Sequence, residues 1–228
     1  MKYKHMREEL VQFLSEHVTE NRNALFDKVL KDRTKYITVV LEDIYQSHNA
    51  SAVLRSCDCF GIQDIHVIEN RNSLSVSRDV ALGSTKWLSM SRYNEEENNT
   101  RSALRNLKNE GYRIVATSPH TNDVELYDFD VSKGKAAIVF GTELTGISDV
   151  VKEEADEFLR IPMYGFTESF NISVSAALVL QHLAHEIRRK EVEWQLTEPE
   201  VLEVKLQWLK RTVKSAELIE REFYRKKI

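Results

Sequence analysis

A chain of 228 residues, 42% hydrophobic and 30% charged, is long enough for one large domain with extensions and holds enough apolar residues for a sizeable core. No apolar run approaches the roughly 20 residues that cross a bilayer, the opening MKYKHMREELVQF has acids and no hydrophobic leader segment, and two cysteines only two residues apart, Cys57 and Cys59, exclude a disulfide scaffold. The formal net charge of −4 argues against a nucleic-acid binder until its distribution is read: residues 205–228 carry a net +5 and residues 1–35 a net +2, which leaves −11 for the middle.

In chain order, residues 3–31 read as helical. Met6, Leu10, Phe13 and Leu14 form one apolar stripe, Leu25, Val29 and Leu30 another, with the break placed at Asn21–Asn23. The pattern then changes. YITVVLE (36–42) is a β-branched run and predicts a buried strand. HNASAVLRSCDCFG (48–61) predicts a short helix closed by Gly61, with Asn49 as a side-chain cap. A strand follows at 64–69, a helix at 101–111, and strands at 113–117, 136–141 and 157–162, the last stopped by Pro162. Asn171 to Arg189 predicts a long helix, and TEPE (197–200) starts another that carries Val201, Val204, Trp208 and Leu209. Strands alternating with helices give an α/β domain with a mostly parallel sheet over 36–190, flanked by helical extensions at 1–35 and 191–228.

The charge asymmetry fits a polyanion gripped by basic ends, and equally an ordinary solvated helix surface. With no leader, no membrane span and reduced cysteines, the expected compartment is the cytoplasm. No second Cys or His pair at zinc spacing joins Cys57 and Cys59, and His182 and His185 lack a third ligand, so no metal is expected. There is no GxGxxG after a strand, no GxxxxGK[ST] and no GxSxG, which counts against the dinucleotide, triphosphate-loop and hydrolase readings.

Three stretches carry chemistry. In His48 to Ser56, small residues surround Arg55 and leave room for its guanidinium to meet an anion; a surface ion pair is the plain alternative. FGTELTGIS (140–148) follows a buried strand at the carboxyl end, where open α/β sheets place ligands. There Gly141 and Gly146 permit close backbone approach, Glu143 stands between them, and Ser148 caps the next helix. In IPMYGFTESFNISVSAALVL (161–180) a strongly apolar helix opens with Thr167, Ser169, Asn171, Ser173 and Ser175. Asn171 or Ser173 suffices as the cap, so the surplus polar groups make sense facing a ligand or substrate.

These stretches, in this order, resemble the three motifs of the SPOUT superfamily of RNA methyltransferases, and most closely its TrmH-like tRNA guanosine-2′-O-methyltransferases. Asn49, Ser51 and Arg55 match the first motif, Gly141, Glu143 and Gly146 the second, and Ile161 to Ala176 the third. The resemblance implies a parallel sheet whose C-terminal part is threaded into a trefoil knot, an exception to the rule that chains do not knot. It also implies a homodimer and S-adenosylmethionine as cofactor, with Thr117, Gly141, Ile161 and Phe170 at cofactor-contacting positions. Phe170 stands where the family usually has Leu. The implied reaction is methyl transfer to a ribose 2′-hydroxyl, with a D-loop guanosine at tRNA position 18 as the expected target. Arg55 either stabilises the developing alkoxide or works with an RNA phosphate to take the proton, a guanidinium being ordinarily protonated and no base by itself. Asn49, Ser169 and Asn171 orient Arg55 and the substrate, and Glu143 ties the second motif to the site. Ribose methylation of ribosomal RNA is the nearest rival. A non-catalytic RNA-binding protein of the same fold and a nucleotide-using metabolic enzyme are the others.

Overall fold

The computed structural model describes residues 2–118, 124–142 and 145–227, and within it the chain forms two compact units. One is built from 1–33 together with 195–228, the other from 34–194. The first is helical: α1 (Lys2–Ser15), α2 (Glu20–Leu30), α8 (Glu198–Thr212) and α9 (Ala216–Lys227). Leu10, Leu14, Phe26, Leu30, Val204, Trp208, Leu209 and Phe223 are buried in it, and Phe26 packs its ring on Trp208 at 5.5 Å. Thr197 and Glu200 form a capping box at the start of α8, with Pro199 in its first turn. The first helical break is not at Asn21–Asn23. It falls between Ser15 and Glu20, where the Thr19 hydroxyl accepts from the Arg22 amide and starts α2, so Asn21 and Asn23 lie within a helix.

The second unit carries a seven-stranded, wholly parallel sheet in the order β3-β2-β1-β6-β4-β7-β5. Its strands are β1 (Ile37–Glu42), β2 (Asp64–Ile68), β3 (Ser89–Tyr93), β4 (Arg113–Thr117), β5 (Val124–Glu125), β6 (Ala136–Phe140) and β7 (Glu157–Arg160). The last two strands in sequence are inserted between earlier ones: β6 divides β1 from β4, and β7 divides β4 from β5. Five strands follow the predicted runs, while β3 and β5 were not foreseen. SMSRY is a polar edge strand and β5 has only two residues, so neither shows an apolar period.

Alternation along β1 divides the core into two layers. Ile37, Val39 and Leu41 join one apolar cluster with α3 (Ser47–Phe60) and α7 (Ile172–Arg189). Val40 joins another with α5 (Thr100–Asn109) and α6 (Asp149–Glu154). Gly61 closes α3 in the left-handed region at φ +80°, as its sequence predicts. Asn49 is not the cap of α3: the helix starts at Ser47 after Gln46, and Asn49 is buried within its first turn.

At the carboxyl edge of the sheet, polar side chains fasten the loops. Asp43, at φ +52°, accepts from the amides of Asn70, Arg71 and Asn72. Glu69 accepts from the Leu74 amide and from Arg92 and Asn94. Ser51, buried in α3, donates to the Ser47 carbonyl and accepts from the Ser77 amide, so this first-motif residue ties the 69–77 segment to the helix.

Candidate active site

A cavity of about 620 Å³ opens at the carboxyl ends of β4, β6 and β7, within the second unit. That size suits a cofactor-sized molecule. Its floor is apolar, from Phe140, Leu159, Ile161, Ile172 and Val179, and Thr117, Ser118, Ser169, Asn171 and Ser175 bring polar groups to it. All four residues expected to contact a cofactor, Thr117, Gly141, Ile161 and Phe170, line it.

One wall is the turn that follows β6. Thr142 and Gly146 exchange backbone hydrogen bonds of 2.9 and 3.1 Å, which folds the turn back on itself. Gly141 allows that approach. A Cβ built on it would lie 2.2 Å from the Gly146 carbonyl oxygen, so any side chain there collides with backbone. Gly146 serves differently, sitting at φ +69°, where a residue with a Cβ is strained. Ser148 ends the turn, and its hydroxyl accepts from the Val151 amide to cap α6, as expected. Glu143 lies outside the described residues.

The opposite wall explains the crowd of polar residues before α7. Asn171 is the cap: its Oδ1 accepts from the Ser173 amide at 2.8 Å and from the Ser173 hydroxyl at 2.6 Å. Its Nδ2 donates to Asn49 Oδ1 at 3.2 Å, and Asn49 donates in turn to Gln46. One side chain thus starts the helix, lines the cavity and joins the first motif to the third. Ser169 and Ser175 are released from capping and line the cavity.

Arg55 stands apart from this cluster. It is exposed on α3, does not line the cavity of its own chain, and has no hydrogen-bonding or ion-pair partner among the described residues. On α7, Val174 and Leu178 lie four residues apart and form an exposed apolar pair, and Phe170, just before the helix, is an exposed part of the cavity lining. Tyr164 and Phe166 are exposed in the loop leading to it. Farther along α7, His182 packs edge-on against Tyr127, at 5.2 Å between ring centres.

Sequence reasoning missed Glu42. It closes a fully buried strand, is 2% exposed, and accepts from the hydroxyls of Thr100 and Ser148 and from the Ser148 amide. An acid continuing a fully buried strand was the available signal. Among the described residues no group of three or more His, Cys, Asp or Glu could hold a metal, and no helix is long and apolar enough to cross a membrane. Cys57 is buried and Cys59 exposed, and the two are not joined in a disulfide.

Compared with known proteins, residues 36–181 match the SpoU rRNA Methylase family. The chain is 42% identical over 207 residues to a tRNA (guanosine(18)-2′-O)-methyltransferase of Borreliella burgdorferi, covering 91% of this chain and 93% of that one. It is 33% identical over 162 residues to the enzyme of that name from Thermus thermophilus, covering 71% and 81%. In structure it is similar to the Aquifex aeolicus TrmH/SpoU tRNA modifying enzyme, with a TM-score of 0.76 and 28% identity over 86% of this chain and 98% of the other.

Proposed function

We infer, because this chain belongs to the SpoU rRNA methylase family, that it is an S-adenosylmethionine-dependent tRNA (guanosine-2′-O-)-methyltransferase acting on the D-loop guanosine at position 18. The observation that carries this reading is the cavity itself, where the second and third motifs meet and Asn171 bonds to the first. Its lining fits the cofactor. An adenosine joined to an amino acid through a sulfonium has no phosphates to cradle, and needs an apolar slot with backbone and neutral hydrogen-bonding groups. Phe140, Leu159 and Ile161 provide the slot, and the backbone of the glycine-bracketed turn and Thr117 provide polar partners. Thr117, Gly141, Ile161 and Phe170 would hold the molecule, which supplies an electrophilic methyl group when bound.

The residues of the chain do the rest. A ribose 2′-hydroxyl is a poor nucleophile near neutral pH, so its oxygen must be stabilised as its proton leaves. Arg55 supplies that stabilisation, a fixed positive charge with no competing carboxylate among the described residues. Asn49 and Asn171 are held to each other and to α7, which fixes the polar side of the site. Ser169 presents a hydroxyl to the substrate from the cavity wall.

Because Arg55 does not line its own cavity, the working unit is a homodimer, and the exposed pair Val174 and Leu178 on α7 is the face that a second copy covers. The tRNA backbone is held by the basic residues of the C-terminal extension. Several of these are already paired with carboxylates in the first unit: Lys205 with Asp27, Lys210 with Glu220, and Lys227 with Glu9. Lys214, Arg221 and Arg225 are exposed with no ion pair among the described residues, and are available to meet phosphates. Two cysteines not joined in a disulfide fit a reducing compartment, the cytoplasm.

The test is methyl transfer from labelled S-adenosylmethionine to unmodified tRNA transcripts and to ribosomal RNA side by side, with the product digested and read by mass spectrometry. A 2′-O-methylguanosine at position 18, lost in Arg55→Ala while cofactor still binds, is the expected result. Label confined to ribosomal RNA would move the substrate class. Cofactor bound without transfer to either RNA would leave a binding protein that has kept the fold.

A further inference from the structure

We propose that Glu42 is a positioning residue for the cofactor site, acting through Ser148 to hold the segment Gly146 to Ser148 against the end of β1. The inference rests on the methyltransferase reading above. Glu42 does not line the cavity, so it acts through another residue. Its position is set by the sheet: Leu41 pairs with Phe140, so Glu42 stands level with the point where the chain leaves β6 to build the cavity wall. From there its carboxylate reaches the far end of that segment. Oε2 accepts from the Ser148 amide at 3.0 Å, and Oε1 accepts from the Ser148 hydroxyl at 2.7 Å and from the Thr100 hydroxyl at 2.7 Å.

The direction of these bonds makes a carboxylate the group required. The Ser148 hydroxyl already accepts from the Val151 amide, so its proton is free to point only at Glu42. The Thr100 hydroxyl accepts from Asn70 Nδ2 and likewise points its proton at Glu42. Three donors therefore converge on an acceptor-only group that is buried at 2% exposure. An amide in its place would turn an N–H toward one of these donors and leave a buried polar group unmatched.

The two arms of the network differ in what they hold. The Ser148 arm ends beside Gly146 and Ile147, both of which line the cavity. The Thr100 arm ends at Asn70 and the start of α5, away from the cavity lining. If Glu42 only stabilised the fold, both arms would matter equally for cofactor binding. If it positions the segment, only the Ser148 arm would.

The experiment is calorimetric titration of the full chain with S-adenosylmethionine, with thermal midpoints measured in parallel, for wild type, Glu42→Gln, Ser148→Ala, Thr100→Ala and the Glu42→Gln/Ser148→Ala double variant. Glu42→Gln and Ser148→Ala are each expected to weaken cofactor binding about tenfold through the displaced segment. Thr100→Ala is expected to lower the midpoint with less than about a twofold change in binding. The double variant should bind no more than about twofold weaker than the worse single one, because both remove one link. Wild-type affinity in a folded Glu42→Gln, losses that track the midpoint whichever arm is cut, or losses that multiply in the double variant would each overturn the proposal. Should Glu42→Gln fail to fold, Ser148→Ala against Thr100→Ala decides by the same criterion. A wild-type chain that binds no S-adenosylmethionine sinks the methyltransferase reading, and this inference with it; normal wild-type binding with unaffected variants sinks Glu42 alone.

Discussion

Asn171 does two jobs with two ends of one amide, and substitution separates them. Its oxygen caps α7 and its nitrogen donates to Asn49. Asn171→Asp keeps an acceptor for the Ser173 amide and loses the donor. It should hold the thermal midpoint within a degree or two yet lower methyl transfer by roughly tenfold or more. Asn171→Ala loses both, and should also cost about 1 kcal/mol of stability. Wild-type activity in Asn171→Asp would show that the bond to Asn49 has no part in the reaction. A second residue governs acid sensitivity. Burial, with Lys35 adding to it, pushes His66 down to about 4, and its ring is stacked on Tyr93, whose hydroxyl lies 3.1 Å from Nδ1. The unfolded chain takes up a proton below about pH 6.5 while the folded one refuses it until about 4, so this stability is present above pH 6.5 and lost as pH falls toward 4. Between pH 6.5 and 5 the loss is about 2 kcal/mol. Thermal melts of wild type and His66→Gln across that window should show a shallower pH slope in the variant.

Elements rather than single contacts decide the shape of the cofactor wall. Gly141→Ala places a methyl group against the Gly146 carbonyl, so the turn must open, and cofactor binding should fall beyond calorimetric detection in a chain that still folds. Gly146→Ala meets no atom within 4 Å and only pays the left-handed backbone, about 1 kcal/mol. It should therefore bind the cofactor more tightly than Gly141→Ala does. The pair on α7 makes a different claim: Val174→Glu with Leu178→Glu should give a monomer by light scattering at micromolar concentration, with activity lost and the cavity intact. Much of this was legible beforehand. The strands at β1, β4 and β6 are short buried runs built around β-branched residues, and the glycines and capping residues of the second and third motifs stand where turn and helix chemistry require them. Other parts were silent for physical reasons. β3 is an edge strand with a polar face, so it lacks the apolar period. Asn49 looks like a cap because cap and interior asparagines share one chemistry, and only the tertiary bond to Asn171 tells them apart. Glu42 reads as the polar end of a strand until the donors brought by two distant helices are known.

At the scale of the whole molecule, charge sets how the substrate is held. The chain is acidic in total, and the positive charge left for phosphates is concentrated in the C-terminal extension. Binding of tRNA should weaken steeply with salt. Lys214→Gln with Arg221→Gln should lower the slope of log affinity against log salt by roughly 1 to 2, with little change in cofactor binding. An unchanged slope would place the phosphate contacts elsewhere.

The bond between Asn49 and Asn171 spans 122 positions of the chain. A ribosome adding about 5 to 20 residues per second takes roughly 6 to 24 s to travel that distance. From residue 60 to residue 156, most of that interval, the nascent protein already carries Arg55 and the β1–α3 corner, while the strand β7 and the helix α7 that complete the cavity do not yet exist. Catalytic competence is therefore withheld until the last part of the sheet has emerged, and a message broken before codon 171 yields a polypeptide with the first motif and no place to bind a methyl donor.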